Sequence, residues 1–223
     1  MNSPTITQPS PYPLPQPTVL RVFAKLFSYL LHPLFIPAYV SAYLIYVHPY
    51  SFAGFDEKLK FLRLAFVVVS TAFFPAVTVF LLWRLKFADS IFLRTQKERI
   101  IPYMASIIYF FWAWYVAKNL DGTPKSMVFF FLGIFIAASV AVIANNFFKI
   151  SMHALAVGGA GAFMLLLALI SSDPMGLPLS IAILTTGVVC TSRLIVSDHH
   201  PLEIYWGLIV GGFSQLIAFY FTV

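Results

Sequence analysis

The segment Thr191–Trp206, which reads TSRLIVSDHHPLEIYW, separates two long apolar stretches with a dense group of ionisable side chains. Five such side chains lie within eleven positions: Arg193, Asp198, His199, His200 and Glu203. An ionisable side chain costs about 3 kcal/mol at the centre of a membrane-spanning helix, and where one occurs it usually has a function. We therefore expect this segment to form part of a site, and the rest of the chain to be the scaffold that supports it.

The composition is typical of an integral membrane protein. Of the 223 residues, 60% are hydrophobic and only 10% are charged, whereas soluble domains carry about 25% charged residues. A helix of about 20 residues crosses the hydrocarbon. Seven stretches without Asp, Glu, Lys or Arg are long enough: 26–55, 64–83, 100–117, 126–148, 150–172, 174–192 and 204–223. They lack the alternation of barrel strands, so we predict an all-α, polytopic transmembrane helical bundle of about seven spans.

Domain organisation is simple. Residues 1–19 are rich in Pro, Ser, Thr and Gln, which predicts a disordered tail. We expect residues 20–223 to form a single transmembrane domain. The single cysteine, Cys190, excludes an internal disulfide. Outside the spans there is no run of basic residues with interleaved aromatic residues, so we do not expect nucleic acid as a partner.

Prolines mark where the helices should bend or begin. His32–Pro33 and Pro37 interrupt the first apolar stretch, which predicts a kink or a short interfacial helix, followed by a span over about 34–48. Pro102 is expected to begin the third span, because a proline in the first helical turn loses no hydrogen bond.

Counting the spans brings three polar connections to one membrane face. The connections after spans two, four and six contain Arg94–Pro102, Lys149–His153 and Arg193–Glu203. Together they supply cations, a hydroxyl, imidazoles and a carboxylate: Arg94, Lys97, Arg99, Lys149, Arg193, Ser151, His153, His199 and Glu203. Guanidinium and ammonium groups bind phosphate oxygens. The same cations would repel a divalent metal, and no H-E-x-x-H spacing is present, so we expect a phosphate site without a metal or another cofactor.

The spacing of His199 and Glu203 favours catalysis. A carboxylate four residues after a histidine, at the start of a helix, can orient the imidazole and support positive charge on it. Such a histidine can act as a nucleophile. A histidine from another connection can protonate the leaving oxygen, while the cations stabilise the transferring phosphoryl group.

These residues resemble the signatures of the type 2 phosphatidic acid phosphatase and haloperoxidase-like superfamily. Ser192-Arg193-x5-His199-x3-Glu203 resembles the third signature, S-R-x5-H-x3-D, with Glu in place of Asp. Ser151-Met152-His153 is similar to the second signature, P-S-G-H, in its Ser and His. Arg94-x2-Lys97-x-Arg99-x2-Pro102 lies where the first signature, K-x6-R-P, is expected and matches it loosely. The resemblance covers about residues 90–215.

The resemblance implies a role for each matching residue. It implies that His199 is the nucleophile, that Glu203 orients it and that His153 is the general acid. It further implies that Arg193, Ser151, and Lys97 or Arg99 hold the phosphate. The expected function is therefore a metal-independent membrane phosphatase that acts on a lipid phosphate or a prenyl diphosphate through a phosphohistidine.

Two other functions remain open at this stage. Because Glu203 and Met152 depart from the signatures, the chain could instead be a degraded relative that binds anionic lipid headgroups without turnover. A small transporter is the third hypothesis, although the opposite face lacks the polar groups inside the spans that alternating access requires. The sequence leaves the lipid and the oligomeric state open.

The charge distribution does not settle the orientation. Lys and Arg on the face with the site outnumber those on the other face by nine to five, which would place it in the cytoplasm. Without the five candidate site cations the count is four to five. The resemblance implies an outward-facing site, so we expect the bacterial inner (plasma) membrane with the site on its outer face.

Overall fold

The structure is a computed structural model that describes residues 16–91, 96–196 and 200–223, apart from the side chains of residues 96 and 97. Over these residues the chain is helical, with short connections. The helices are α1 (Thr18–Leu30), α2 (Ile36–Val47), α3 (Glu57–Arg84), α4 (Gln96–Asn119), α5 (Lys125–Asn145), α6 (Met152–Ile170), α7 (Gly176–Ile195) and α8 (Pro201–Thr222). Single π-helical turns lie within α2, at Tyr43–Val47, and within α3, at Val69–Phe73.

The prediction of about seven spans is confirmed. Six helices, α3 to α8, are long and apolar enough to cross a membrane, and α2 is a shorter apolar helix. The two ends of α2 nevertheless lie at opposite ends of the bundle. The His32 ring before it lies 5.4 Å from the ring of His153, in the first turn of α6, and His48 after it has its Nε2 3.9 Å from Asp173, beyond the end of α6. The chain therefore crosses the bundle between His32 and His48.

Two boundary predictions need correction. The predicted disordered tail of residues 1–19 is too long, because Thr18 and Val19 already belong to α1; its first fifteen residues lie outside the described part of the chain. Pro102 does not begin the third span, since α4 starts at Gln96 and Pro102 lies inside it. Glu98 in the first turn of α4 favours the earlier start through the helix dipole, and membrane helices tolerate an interior proline.

The helix pair α6 and α8 forms the most extensive contact among the described helices. Both helices begin at the same face, so they run parallel with α7 as the returning segment. Glycines let their backbones touch: a Cβ on Gly207 would lie 2.7 Å from the Ser151 carbonyl oxygen, and one on Gly211 would overlap the Leu155 carbonyl. Just above this contact the Ser151 N–H donates to the Glu203 carbonyl oxygen at 3.2 Å. This packing holds two of the three polar connections side by side.

The remaining helices complete the bundle around this pair. Helix α5 packs against α8 and α4, α7 packs against α6 and α1, and α2 packs against α3 and α6. A cluster of aromatic rings fills the centre. The ring centroid of Phe163 of α6 lies 4.7 Å from that of Phe130 and 5.0 Å from that of Phe129, both of α5. Close packing at the centre leaves the open volume of the molecule towards the face that bears the polar connections.

Adjacent glycines of α8 provide a matched test of this packing. Gly211→Ala places a methyl group on the Leu155 carbonyl, so we expect a loss of about 1–3 kcal/mol of stability from overpacking. Gly212→Ala places its methyl group 3.8 Å from the Ala162 Cβ, an ordinary contact, and alanine favours the helix, so stability should be equal or higher. Unfolding midpoints measured in one detergent check both, and equal midpoints would show that α6 and α8 are not in backbone contact.

Candidate phosphate-binding cavity

A cavity of about 1120 Å³ lies within the bundle, and most of its lining comes from α1, α3, α4, α5 and α6. Its polar lining includes cations and imidazoles from five parts of the chain: Arg21, Lys25, His32, Arg99, Lys149, His153 and Arg193. Among the described residues that line it, none is Asp or Glu. A cavity lined by charges of one sign attracts an anion, so this part of the cavity suits a phosphate group.

The rest of the cavity wall is apolar. It is formed by side chains deeper in the bundle, including Ala76, Val79, Phe110, Phe130, Ile134, Ala137 and Ala160. Such a surface excludes water and accommodates a hydrocarbon chain. The cavity as a whole is thus complementary to an amphiphile with an anionic head, and its volume is larger than that of a free phosphate ion.

Ser28 of α1 connects the basic side chains. The ring Nε2 of His153 lies 3.1 Å from the Ser28 carbonyl oxygen, which can only accept, so Nε2 carries the proton. That tautomer leaves Nδ1 of His153 as the nitrogen able to exchange a proton with a ligand. The Arg193 guanidinium donates to the Ser28 hydroxyl at 3.5 Å. One buried serine therefore orients both a candidate general acid and a candidate phosphate ligand.

Helix α1 contributes two of the five cations of the lining, Arg21 and Lys25, which were not among the predicted site residues. Arg21, Lys25, Ser28 and His32 all line the cavity. The spacing of Arg21, Lys25 and Ser28 places them on one face of α1, and His32 follows just after the end of the helix. The other faces of α1 carry exposed apolar side chains such as Val22, Phe23, Leu26 and Leu30. This periodicity was the available signal.

The structure brings together four of the predicted site residues. Arg99, Lys149, His153 and Arg193 come from all three polar connections, and they line the same cavity. Arg99 also forms a side-chain hydrogen bond with Tyr103, one turn further along α4. Three other predicted site residues, Arg94, His199 and the Lys97 side chain, lie outside the described part of the chain.

Ser151 and Glu203 lie beside the cavity rather than in its described lining. Ser151 is fully buried, and its hydroxyl caps α6 by accepting from the Ala154 N–H at 3.4 Å. Glu203 lies in the first turn of α8, where an acidic residue interacts favourably with the helix dipole. Its carbonyl accepts from the Ser151 N–H. The phosphate-binding role of Ser151 and the orienting role of Glu203 stay predictions.

His32, which precedes α2, is held in its neutral form. Burial lowers its pKa below the ordinary value of 6.5, and the positive charge of Arg193 lowers it further. Its Nδ1 accepts from the Leu34 N–H at 3.3 Å, and an imidazolium could not accept that bond. His32 therefore adds a hydrogen-bonding group to the cavity at neutral pH without adding a charge.

No protein-family model, curated protein or solved structure matches the chain. Within the described ranges there is no group of three or more His, Cys, Asp and Glu side chains placed to hold a metal ion. The interpretation of the cavity therefore depends on its own residues, and the predicted family stays a prediction.

The lowered pKa of His32 predicts how stability varies with pH. The unfolded chain binds a proton as the pH falls through 6.5, whereas folded His32 resists it, so the free energy of unfolding decreases below that pH. His32→Asn retains an acceptor for the Leu34 N–H and does not titrate. We expect its unfolding midpoint to fall less between pH 7.5 and pH 5 than that of the original protein. Ser106→Ala, a non-titrating change on the α4 wall, should leave the pH dependence intact; identical slopes for all three proteins would contradict the prediction.

Proposed function

We propose that the protein is an integral membrane phosphatase that hydrolyses a lipid phosphate or a prenyl diphosphate through a phosphohistidine intermediate on His199. The observation that carries the proposal is the cavity, which joins a lining of cations and imidazoles to an apolar wall within the bundle. A phosphate-bearing lipid has both parts. A free sugar phosphate or nucleotide would leave the apolar wall in contact with a polar ligand.

The chemistry proceeds in two displacements. An imidazole nitrogen of His199 forms a bond to phosphorus while the bond from phosphorus to the leaving oxygen breaks. Protonated His153 gives its Nδ1 proton to that oxygen, which departs as the lipid alcohol, or as the lipid monophosphate when the substrate is a diphosphate. A water molecule then attacks phosphorus and gives its proton to His153. The P–N bond breaks, and phosphate and His199 are released.

The cations position the phosphate and stabilise its charge as the transition state forms. Arg193 is aligned for this by its contact with Ser28, and Arg99 by its hydrogen bond with Tyr103. Arg21 and Lys25 of α1 approach from the remaining side. Charge stabilisation by preoriented donors is usually the largest contribution in phosphoryl transfer. We also propose that the protein lies in a bacterial plasma membrane, with the site on the outer face.

A second candidate function is binding of anionic lipid headgroups without turnover. It is favoured by the surroundings of Ser151, whose buried hydroxyl already caps α6. It is also favoured by Met152, a bulky side chain in the cavity lining at the position where the resembling signature has glycine. This function predicts tight binding of lipid phosphate with no phosphate release, and no gain of activity in Glu203→Asp.

The phosphatase proposal is tested by activity without added metal. Purified protein in detergent should release phosphate from phosphatidate or a prenyl diphosphate in the presence of a chelator. His199→Ala and His153→Ala should each lower kcat by at least about 100-fold, because each removes a group that takes part in the chemistry. His200→Ala, a change at the exposed neighbour of His199, is the matched control and should retain most of the rate. Wild-type rates in both site variants would exclude the phosphohistidine mechanism.

The contribution of α1 is tested by its cations. Arg21→Gln and Lys25→Gln should each raise KM, expressed as a mole fraction of substrate in the micelle, by about ten-fold, since each removes one charged contact to the headgroup. The change in kcat should be smaller, because His153 and Arg193 are untouched. Lys125→Gln removes an exposed cation at the opposite end of the bundle and should alter neither constant. Unchanged KM in both α1 variants would show that α1 does not contact the substrate.

A further inference from the structure

The side-chain oxygen of Gln215 on α8 has no hydrogen-bond partner among the described residues. The side chain is 1% exposed and lines the cavity at its apolar end. Its Nε2 donates to the Phe130 carbonyl oxygen at 3.2 Å. Because a carbonyl oxygen can only accept a hydrogen bond, this contact identifies the nitrogen of the amide. Its Oε1 accepts a hydrogen bond from no described residue. A buried acceptor without a donor is unfavourable, and a donor on a bound ligand would relieve that cost.

A glycine of α5, Gly133, makes the space for the Gln215 amide, and Gly159 of α6 lies beside it. A Cβ on Gly133 of α5 would overlap the Gln215 amide, and one on Gly159 of α6 would lie 3.9 Å from its Nε2. Any other residue at position 133 would displace the side chain. Gln215 is thus accommodated by the neighbouring helices. A leucine there would fill the same apolar environment without an unpaired oxygen.

The position of Gln215 relative to the basic lining defines where a donor on the ligand must lie. Gly159 packs beside Gln215 and is six residues after His153 on α6, which corresponds to roughly 9 Å along the helix axis. A lipid whose phosphate contacts His153 therefore places atoms of its tail at the depth of the Gln215 side chain.

We infer that Gln215 recognises a hydrogen-bond donor in the apolar part of the substrate, so that the preferred ligand is a phosphate-bearing lipid with a hydroxyl or an amide N–H roughly 9 Å from its phosphorus. This inference rests on the proposed function, which supplies the anionic end of the ligand. Plain alkyl and prenyl chains have no donor to offer. An ester carbonyl is itself an acceptor and would face the Oε1 unfavourably. Gln215 thereby narrows the class of lipid that the cavity selects.

The inference is tested with alkylphosphonates, which retain the anionic head and cannot be hydrolysed. Two probes of equal chain length are compared in binding to the full-length protein in detergent, one unsubstituted and one with a hydroxyl roughly 9 Å from phosphorus. The hydroxylated probe should bind about five-fold more tightly, the contribution of one neutral hydrogen bond. Probes with the hydroxyl beside the phosphonate or at the chain end should not show this gain. Because this comparison uses the unaltered protein, it does not depend on whether a variant folds.

Variants at two neighbouring positions locate the effect. Gln215→Leu should bring the ratio of the two dissociation constants to about one, and a ratio measured on one preparation is insensitive to the fraction of folded protein. Ser214→Ala is the matched control, because Ser214 is also buried but its hydroxyl donates to the Val210 carbonyl of its own helix; it should preserve the five-fold preference.

The outcomes separate this inference from the proposed function. Equal affinity for all hydroxyl positions in the unaltered protein overturns the inference, while leaving the phosphatase proposal intact. A preference that persists in Gln215→Leu overturns the assignment to this residue. If no phosphonate binds at all, the anionic-lipid site itself is wrong, and both proposals fail together.

Discussion

The backbone contact between α6 and α8 is the interaction on which the candidate site depends. Gly207 and Gly211 allow α8 to lie against the carbonyls of Ser151 and Leu155, and the two parallel helices consequently begin at the same depth. In lipid, where hydrophobic attraction between helices is weak, such small-residue contacts are a main source of association. The segments with His153 and Glu203 are held together because their helices cannot shift without separating this contact.

Helix α1 closes the site on a side that the three polar connections leave open. Its polar stripe turns inwards, and the Ser28 backbone and hydroxyl engage His153 and Arg193, while its apolar side chains face outwards. The same distribution suits α1 to its position, because the outward side chains can remain in hydrocarbon while the inward cations line the cavity. The site is thus assembled from local helix periodicity and one long-range packing contact.

The sequence predicts the spans and their convergence well, because charge positions and the length of apolar stretches are local properties. Arg99, Lys149, His153 and Arg193 were predicted to share a face, and they line one cavity. The spacing of Arg21 and Lys25 indicates that they share a helix face, but span lengths do not say which neighbour that face meets, because this depends on α1 packing against α7. The burial of Ser151 likewise follows from its contact with Gly207. From the sequence alone, Gln215 is an ordinary polar residue of a span. Its burial beside Gly133 is seen only in the structure.

The shortness of α2 has a consequence for the backbone at its two ends. Ile36–Val47 rises only about 18 Å, whereas the hydrocarbon core is about 30 Å thick. The chain nevertheless passes from His32, beside His153, to His48, beside Asp173, so non-helical residues supply the remaining distance. Their backbone groups cannot pair within a helix and need other partners in lipid. The His32 ring accepts from the Leu34 N–H, and the His48 ring accepts from the Ser51 N–H. Each histidine thus serves its own end of α2 as a local substitute for the missing helical turns.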